Sequence, residues 1–370
     1  MADAHEPEHV GVEMGRPRPA SSWPQLSMTS ILFLAIWVLI GVVLALQDAS
    51  NLVVEVVVFV PPILVLVYLR RKSAASSDVE PEPWDKILRF FATGFLPASI
   101  VVIVVELILS LIFVIVCFHG NLQEGLQYMG AVAGDGGGSG GGSGSGADAS
   151  GGGSEAGSGS GGGTALPAPT LNVYVFLLLT SYITAGTTEE VAKAMILRFA
   201  VCPSRPMCVQ GPDERAHART TLLYMVAGAV GFSTVENIMY TWGALLSGGA
   251  DDAVFWQVLV QGLVRALVAL PTHTLCAGMT AARLVHRDRE QRTLPNPLAA
   301  HGWLWVLFPA IFVHGTYDAQ AMVLSVAVDS VWLVLVTSLT MLALGAWVFW
   351  HQWKTYGEPL DTEYARHEPV

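Results

Sequence analysis

The stretch "TAGTTEEVAKA", residues 184–194, places two carboxylates and an ammonium inside a segment that is otherwise typical of a membrane helix. The apolar run "LNVYVFLLLTSYI" precedes it and "MILRFAV" follows it. On insertion scales, each charged residue at the centre of such a helix costs roughly 2.5–3.5 kcal/mol. Glu189, Glu190 and Lys193 are therefore candidate functional residues, since charges in the bilayer are rarely kept without a use.

The composition of the whole chain supports this interpretation. Of its 370 residues, 52% are hydrophobic and only 13% are charged, which is typical of a polytopic membrane protein. A spanning helix needs about 20 mostly apolar residues. The sequence predicts an all-α integral membrane protein with about eight such helices, near residues 29–46, 50–69, 90–118, 170–200, 222–246, 254–283, 302–324 and 330–350.

The basic residues predict the orientation of these helices. All but two of the 19 Lys and Arg residues lie in the tails, in alternate connections between the predicted spans, or at the span ends that border those connections. Because cytosolic loops carry an excess of Lys and Arg, this pattern predicts that both termini are cytosolic. The two exceptions, Lys193 and Arg265, lie inside predicted spans.

A long stretch of Gly and Ser separates the third and fourth predicted spans. It runs over residues 134–163 and has too few apolar side chains to form a core, so we expect a disordered loop. It separates three helices over residues 29–133 from five helices over residues 164–351. Residues 1–28 and 352–370 are expected to be a polar N-terminal tail and a cytosolic C-terminal tail.

Further ionisable residues occur in the fifth, sixth and seventh spans, at a depth close to that of Glu189. At 1.5 Å per residue, Glu189, Glu236, His273 and His314 all lie roughly 15–21 Å from the cytosolic ends of their helices. This shared depth predicts one polar site built by four helices. The same spans carry Asn237, Asp318 and Arg265, and either a backbone carbonyl or Glu106 of the third span could pair with Arg265.

Two water-activating arrangements fit this set of residues. In the first, His273, His314 and Glu236 bind a zinc ion that keeps one position for water, and Glu189 or Glu190 acts as the general base. In the second, which needs no metal, Glu189 and a histidine activate water directly.

The remaining polar residues have supporting roles in both arrangements. Asn237, Arg265 or Asp318 can orient groups or stabilise an oxyanion. We expect Glu189 to be the base and Glu190 to be the main partner of Lys193, because two ionised carboxylates beside one ammonium are unfavourable at low dielectric.

The order of the four motifs resembles the PrsW family of membrane-embedded peptidases. The family pattern is EExxK, FxxxEN, an Arg–Pro–His block and HxxxD, and this chain has "TTEEVAKA", "GFSTVEN", "RALVALPTH" and "HGTYD" in that order. The matching positions are Glu189, Glu190, Lys193, Phe232, Glu236, Asn237, Arg265, Pro271, His273, His314 and Asp318. The resemblance covers roughly residues 170–325.

The resemblance implies an intramembrane endopeptidase that cleaves membrane-associated proteins or peptides, with zinc as the expected cofactor. We expect a membrane-anchored substrate and no nucleic-acid partner. Two alternatives stay open: an ion- or proton-coupled transporter that uses an intramembrane Glu/His/Lys relay, and an inactive scaffold of the same fold.

Overall fold

Helices make up every regular element in the part of the chain that the structure describes. This structure is a computed structural model, and it describes residues 26–47, 51–75, 82–121, 123–125, 128, 169–199, 214–248, 252–328 and 330–357. The α-helices are α1 Met28–Gln47, α2 Asn51–Ala75, α3 Trp84–Thr93, α4 Ser99–Cys117, α5 Leu171–Leu179, α6 Thr188–Phe199, α7 Glu214–Gly248, α8 Asp252–Val264, α9 Leu270–Thr293, α10 Trp303–Ala327 and α11 Val331–Gln352.

Wider π-helical turns join several of these helices into longer continuous ones. Gly94–Ala98 joins α3 to α4, Thr180–Thr187 joins α5 to α6, and Arg265–Ala269 joins α8 to α9. The last of these turns precedes Pro271, which has no N–H to donate to the preceding turn. Local hydrogen bonds of side chains, such as Thr187 Oγ1 to the carbonyl of Tyr182 at 2.8 Å, satisfy carbonyls that the wider turns free.

Seven segments of the described chain are long and apolar enough to cross a membrane. They are Leu52–Lys72, Trp84–Cys117, Leu171–Leu197, Arg215–Thr241, Phe255–Thr293, Pro297–Ala327 and Val331–Gly357. Each coincides with a predicted span. The first of the eight predicted spans corresponds to α1, whose apolar part Ser30–Val43 is shorter than the other seven. The structure therefore supports seven of the eight spans by length and composition.

Other parts of the predicted organisation stay predictions. The cytosolic placement of both termini and the division into segments at residues 133 and 164 have no direct test in the structure. The Gly/Ser-rich segment 134–163 and most of the two predicted tails lie outside the described residues.

Helix α7 forms the centre of the fold. In the most apolar stretch of α7, 72% of the residues are buried inside the protein, against 11% in the corresponding stretch of the last span. The turn at Gly94 packs so closely on α7 that a Cβ on Gly94 would collide with the backbone of Gly228, and a Cβ on Gly231 would collide with the carbonyl of Phe91. This close approach holds the N-terminal helices against the helix that carries Glu236 and Asn237.

Candidate active site

Two crossing helices bring the EExxK and HxxxD motifs together. The turn before α6 meets α10 where a Cβ on Gly186 would lie 3.2 Å from the Cα of Gly315, so both backbones come close because neither residue has a side chain. Gly315 follows His314, and Gly186 lies one turn before Glu190. This contact places the imidazole of His314 against the first turn of α6.

Lys193 lies at the centre of the site and has three partners. Its Nζ lies 3.1 Å from Glu189 Oε2, 2.8 Å from Glu190 Oε1 and 2.8 Å from His273 Nδ1. An ammonium has three protons, so each partner can receive one. Lys193 is only 1% exposed, and these contacts provide the compensation that a buried charge requires. The predicted pairing with Glu190 is present, and Glu189 and His273 share the same ammonium.

The hydrogen bond from Lys193 determines how His273 presents its ring. Because Nδ1 accepts from the ammonium, Nε2 carries the proton of a neutral imidazole. That Nε2 lies 2.8 Å from Glu236 Oε2. His273 therefore connects the Lys193 cluster on α6 with Glu236 on α7.

His314 is also held through its Nδ1 atom, but by a carboxylate instead of an ammonium. Its Nδ1 lies 2.9 Å from Glu190 Oε1, so Nδ1–H can donate to that carboxylate. Its Nε2 lies 3.6 Å from Glu189 Oε2 and 3.4 Å from Asp318 Oδ2. Asp318 lies one helical turn from His314, as the spacing indicates, but Glu190 is the carboxylate on the opposite ring nitrogen and holds the tautomer.

Arg265 forms the open edge of the site. It donates from Nη2 to Glu236 Oε1 at 2.7 Å and from Nε to Asn237 Oδ1 at 2.8 Å, and its guanidinium lies 3.9 Å from the centre of the Tyr240 ring. The suggested pairing of Arg265 with Glu106 is wrong. Residue spacing on one helix could not identify Glu236 as the partner, since the pair depends on how α7 packs against the turn before α9.

Nine residues were predicted as site residues, and the structure brings all of them into one connected network. Glu189, Glu190, Lys193, Asn237, His273 and His314 are buried, whereas Glu236, Arg265 and Asp318 are partly exposed. Their individual roles stay predictions. Sequence reasoning did not include Glu106 among the site residues, although the hydroxyl of Thr188 contacts its carboxylate at 3.4 Å.

The donor atoms that could share a metal ion differ from the predicted set. Glu189, His273 and His314 are buried, and their ligand atoms lie within 4.8 Å of one another. Glu236, the predicted carboxylate ligand, is not in this group and is instead paired with Arg265. Two ligands of a tetrahedral zinc ion lie roughly 3.4 Å apart, and Glu189 Oε2 lies 3.6 Å from one nitrogen of each imidazole.

The surroundings of these donors fit a divalent cation at His314 better than at His273. Glu190 on Nδ1 of His314 is the carboxylate–histidine pairing that commonly supports a metal ligand. At His273, the nitrogen that faces Glu189 is the one that accepts from Lys193. The donor set fits zinc in type and spacing, provided that Lys193 releases His273.

A second Glu/His/His group lies near the end of α9. His286, Glu290 and His301 also have ligand atoms within 4.8 Å of one another, but they are partly or fully exposed. His301 Nδ1 lies 2.7 Å from both carboxylate oxygens of Glu290, and the backbone N–H of His301 donates to Glu290 Oε2 at 3.0 Å. These contacts join the end of α9 to the chain before α10.

Comparisons with known proteins agree with the motifs. Residues 164–347 match the model of the PrsW family of intramembrane metalloproteases. Protease PrsW of Clostridioides difficile (strain 630) is 27% identical over 150 residues, which cover 40% of this chain and 55% of that relative. The chain thus spans about half the length of that relative, and no solved structure gives a significant match. Residues 164–347 of this multi-pass integral membrane protein therefore form a PrsW-family domain.

Proposed function

We propose that the protein is an intramembrane endopeptidase that hydrolyses peptide bonds of membrane-associated proteins with an activated water. The observation that carries the proposal is the position of Glu189, which is 5% exposed and shares its Oε2 between the ammonium of Lys193 and the imidazoles of His273 and His314. The family match favours this activity over the transporter and the inactive scaffold.

The two adjacent glutamates have different surroundings, and these suggest different tasks. Glu190 Oε1 lies 2.8 Å from Lys193 and 2.9 Å from His314, so it is held as a carboxylate. Glu189 lies 3.1 Å from Lys193 and 3.6 Å from each imidazole. We assign Glu189 as the group that takes the proton of the water, and Glu190 as the group that fixes Lys193 and His314.

The polar residues on α7 and in the turn before α9 suit the stabilisation of developing negative charge. Arg265 uses Nη2 for Glu236 and Nε for Asn237, so other guanidinium N–H groups are available to an oxyanion on the substrate. Glu236 and Asn237 hold the guanidinium in place, and its partial exposure leaves it open to a peptide.

Zinc would be held by Glu189, His273 and His314, and when bound it would supply a Lewis acid and help to activate water. Release of His273 by Lys193 would make its Nδ1 lone pair available. Glu189 would then be a ligand, and the proton would be taken by another carboxylate of the cluster.

The activity is tested with purified protein in liposomes and a library of membrane-tethered peptides, in water enriched in ¹⁸O. Hydrolysis should give fragments whose new C-terminal carboxyl carries one ¹⁸O atom. The Glu189→Gln/Glu190→Gln double variant should give none, whereas Glu55→Gln should give as much product as the wild type because Glu55 lies on α2 against Gly41. Equal cleavage by the folded double variant would overturn the proposal.

A further inference from the structure

Glu106 is the only Asp, Glu, Lys, Arg or His residue in α4, and it comes from outside the family-matched segment. Its neighbours Val104, Leu107 and Ile108 are 51–66% exposed, as expected for side chains that face lipid. Helix α4 packs against the turn before α6 and against α6 itself. The carboxylate of Glu106 therefore reaches the candidate active site from the N-terminal helices.

The contacts of Thr188 are compatible with a proton on Glu106. Thr188 Oγ1 lies 3.4 Å from Glu106 Oε1, and it also forms a short hydrogen bond with the carbonyl of Thr184. A hydroxyl has one proton, and a carbonyl can only accept. If that proton goes to Thr184, Thr188 Oγ1 can accept the hydrogen of a protonated Glu106.

The charges around Glu106 favour the same state. Its carboxylate interacts electrostatically with Glu189 on α6, Glu236 on α7, and Asp318 and His314 on α10. The segments 94–98 and 171–187, which also pack against α4, contain no Asp, Glu, Lys, Arg or His.

The wider site contains more acids than permanent cations. It brings five carboxylates together with two permanent cations, Lys193 and Arg265. The carboxylates belong to Glu106, Glu189, Glu190, Glu236 and Asp318. Among the described residues, neither cation forms an ion pair with Glu106. Like charges that lie close together disfavour further ionisation.

We propose that Glu106 is a proton-carrying residue of the active site that returns a proton to the leaving amine. This inference rests on the proposed function. Water adds to the scissile carbonyl carbon as Glu189 takes its proton. The C–N bond then breaks as the amine nitrogen takes the proton of Glu106. Transfer of the proton from Glu189 to Glu106 restores both groups, so the cycle consumes one water and yields one carboxylic acid and one amine.

Glu106→Gln tests the proposal because the amide still donates to Thr188 but cannot transfer a proton. We expect kcat to fall about 100-fold with KM nearly unchanged, as is usual for loss of a general acid, and the thermal midpoint to stay close to that of the wild type. Wild-type kcat should decline as the pH rises and Glu106 ionises. That alkaline decline should disappear in Glu106→Gln.

Matched variants decide between a proton donor and a structural residue. Glu55→Gln changes a buried glutamate on a different N-terminal helix and should keep the wild-type kcat and pH profile. Glu106→Asp keeps an acid and should retain the alkaline decline of kcat, at a reduced kcat. This variant keeps the proposal testable even if Glu106→Gln folds poorly. Loss of the alkaline decline in Glu106→Asp, or wild-type kcat and pH profile in Glu106→Gln, would overturn the inference. If Glu189→Gln is inactive while Glu106→Gln behaves as the wild type, only this inference fails.

Discussion

The described part of the chain contains two groups of one glutamate and two histidines, and their surroundings are opposite. Glu189, His273 and His314 come from three helices and are buried. Glu290 and its two histidines lie at the end of α9 and just beyond it, and the side chain of His301 is 43% exposed. The same donor types therefore occur once at low dielectric and once next to water.

The difference lies in what satisfies each carboxylate. Both oxygens of Glu290 contact His301, and Oε1 also lies 3.4 Å from His286 Nε2. Arg287 Nε donates to the carbonyl of His301 at 2.9 Å, so the group acts as a clamp between α9 and α10. Glu189 instead shares one oxygen with an ammonium and two imidazoles, which in turn contact other acids. The buried group thus gathers three partners around one carboxylate oxygen, whereas the exposed group joins two segments of the chain.

The largest expected effect comes from Lys193→Met. This change leaves two buried carboxylates and His273 without their shared donor, and breaking a buried pair typically costs about 3–5 kcal/mol. We expect a strongly lowered thermal midpoint in detergent and little remaining turnover. Lys86→Met is the control, because its pair with Glu82 is solvent-exposed and should be worth at most about 1 kcal/mol. Equal stability of the two variants would show that Lys193 is not the centre of the buried group.

Metal analysis separates the two Glu/His/His groups. If the buried group binds zinc, the purified protein should hold about one zinc per chain. That metal should be lost in His314→Ala and kept in His301→Ala, as measured by elemental analysis of protein in detergent. Loss in His301→Ala with retention in His314→Ala would assign the metal to the exposed group instead.

A smaller effect is expected where α10 meets the turn before α6. A Cβ at residue 315 would lie 2.5 Å from the ring of Tyr182, so Gly315→Ala has to push the two helices apart. Overpacking of this kind costs typically about 1–3 kcal/mol, and it should also lower kcat because His314 moves with α10. Gly243→Ala, in a helix with open space around the new methyl group, should change the thermal midpoint little. Equal effects of the two variants would contradict the close contact.

The sequence predicted the spans and the composition of the site because both depend on local patterns. Apolar length identified seven spans, and helical depth placed Glu189, Glu236, His273 and His314 in one layer. These four residues all belong to one network in the structure.

The details of pairing depend on how helices pack, and residue spacing does not specify that. It could not indicate that Lys193 reaches His273 across 80 positions, that Glu190 rather than Asp318 holds Nδ1 of His314, or that Arg265 pairs with Glu236. The wide turns before α6 and α9 were not predicted either, although they set the rotation of the helices that carry Glu189 and His273.

The central claim is that Glu189 takes the proton of the hydrolytic water while Glu290 only holds two segments together. The most direct test is the turnover of Glu189→Gln and Glu290→Gln on the same membrane-tethered peptide, with thermal midpoints measured in parallel. The account predicts a loss of at least about 100-fold for Glu189→Gln with near-normal folding, and wild-type turnover for Glu290→Gln. Wild-type turnover in well-folded Glu189→Gln protein would contradict it.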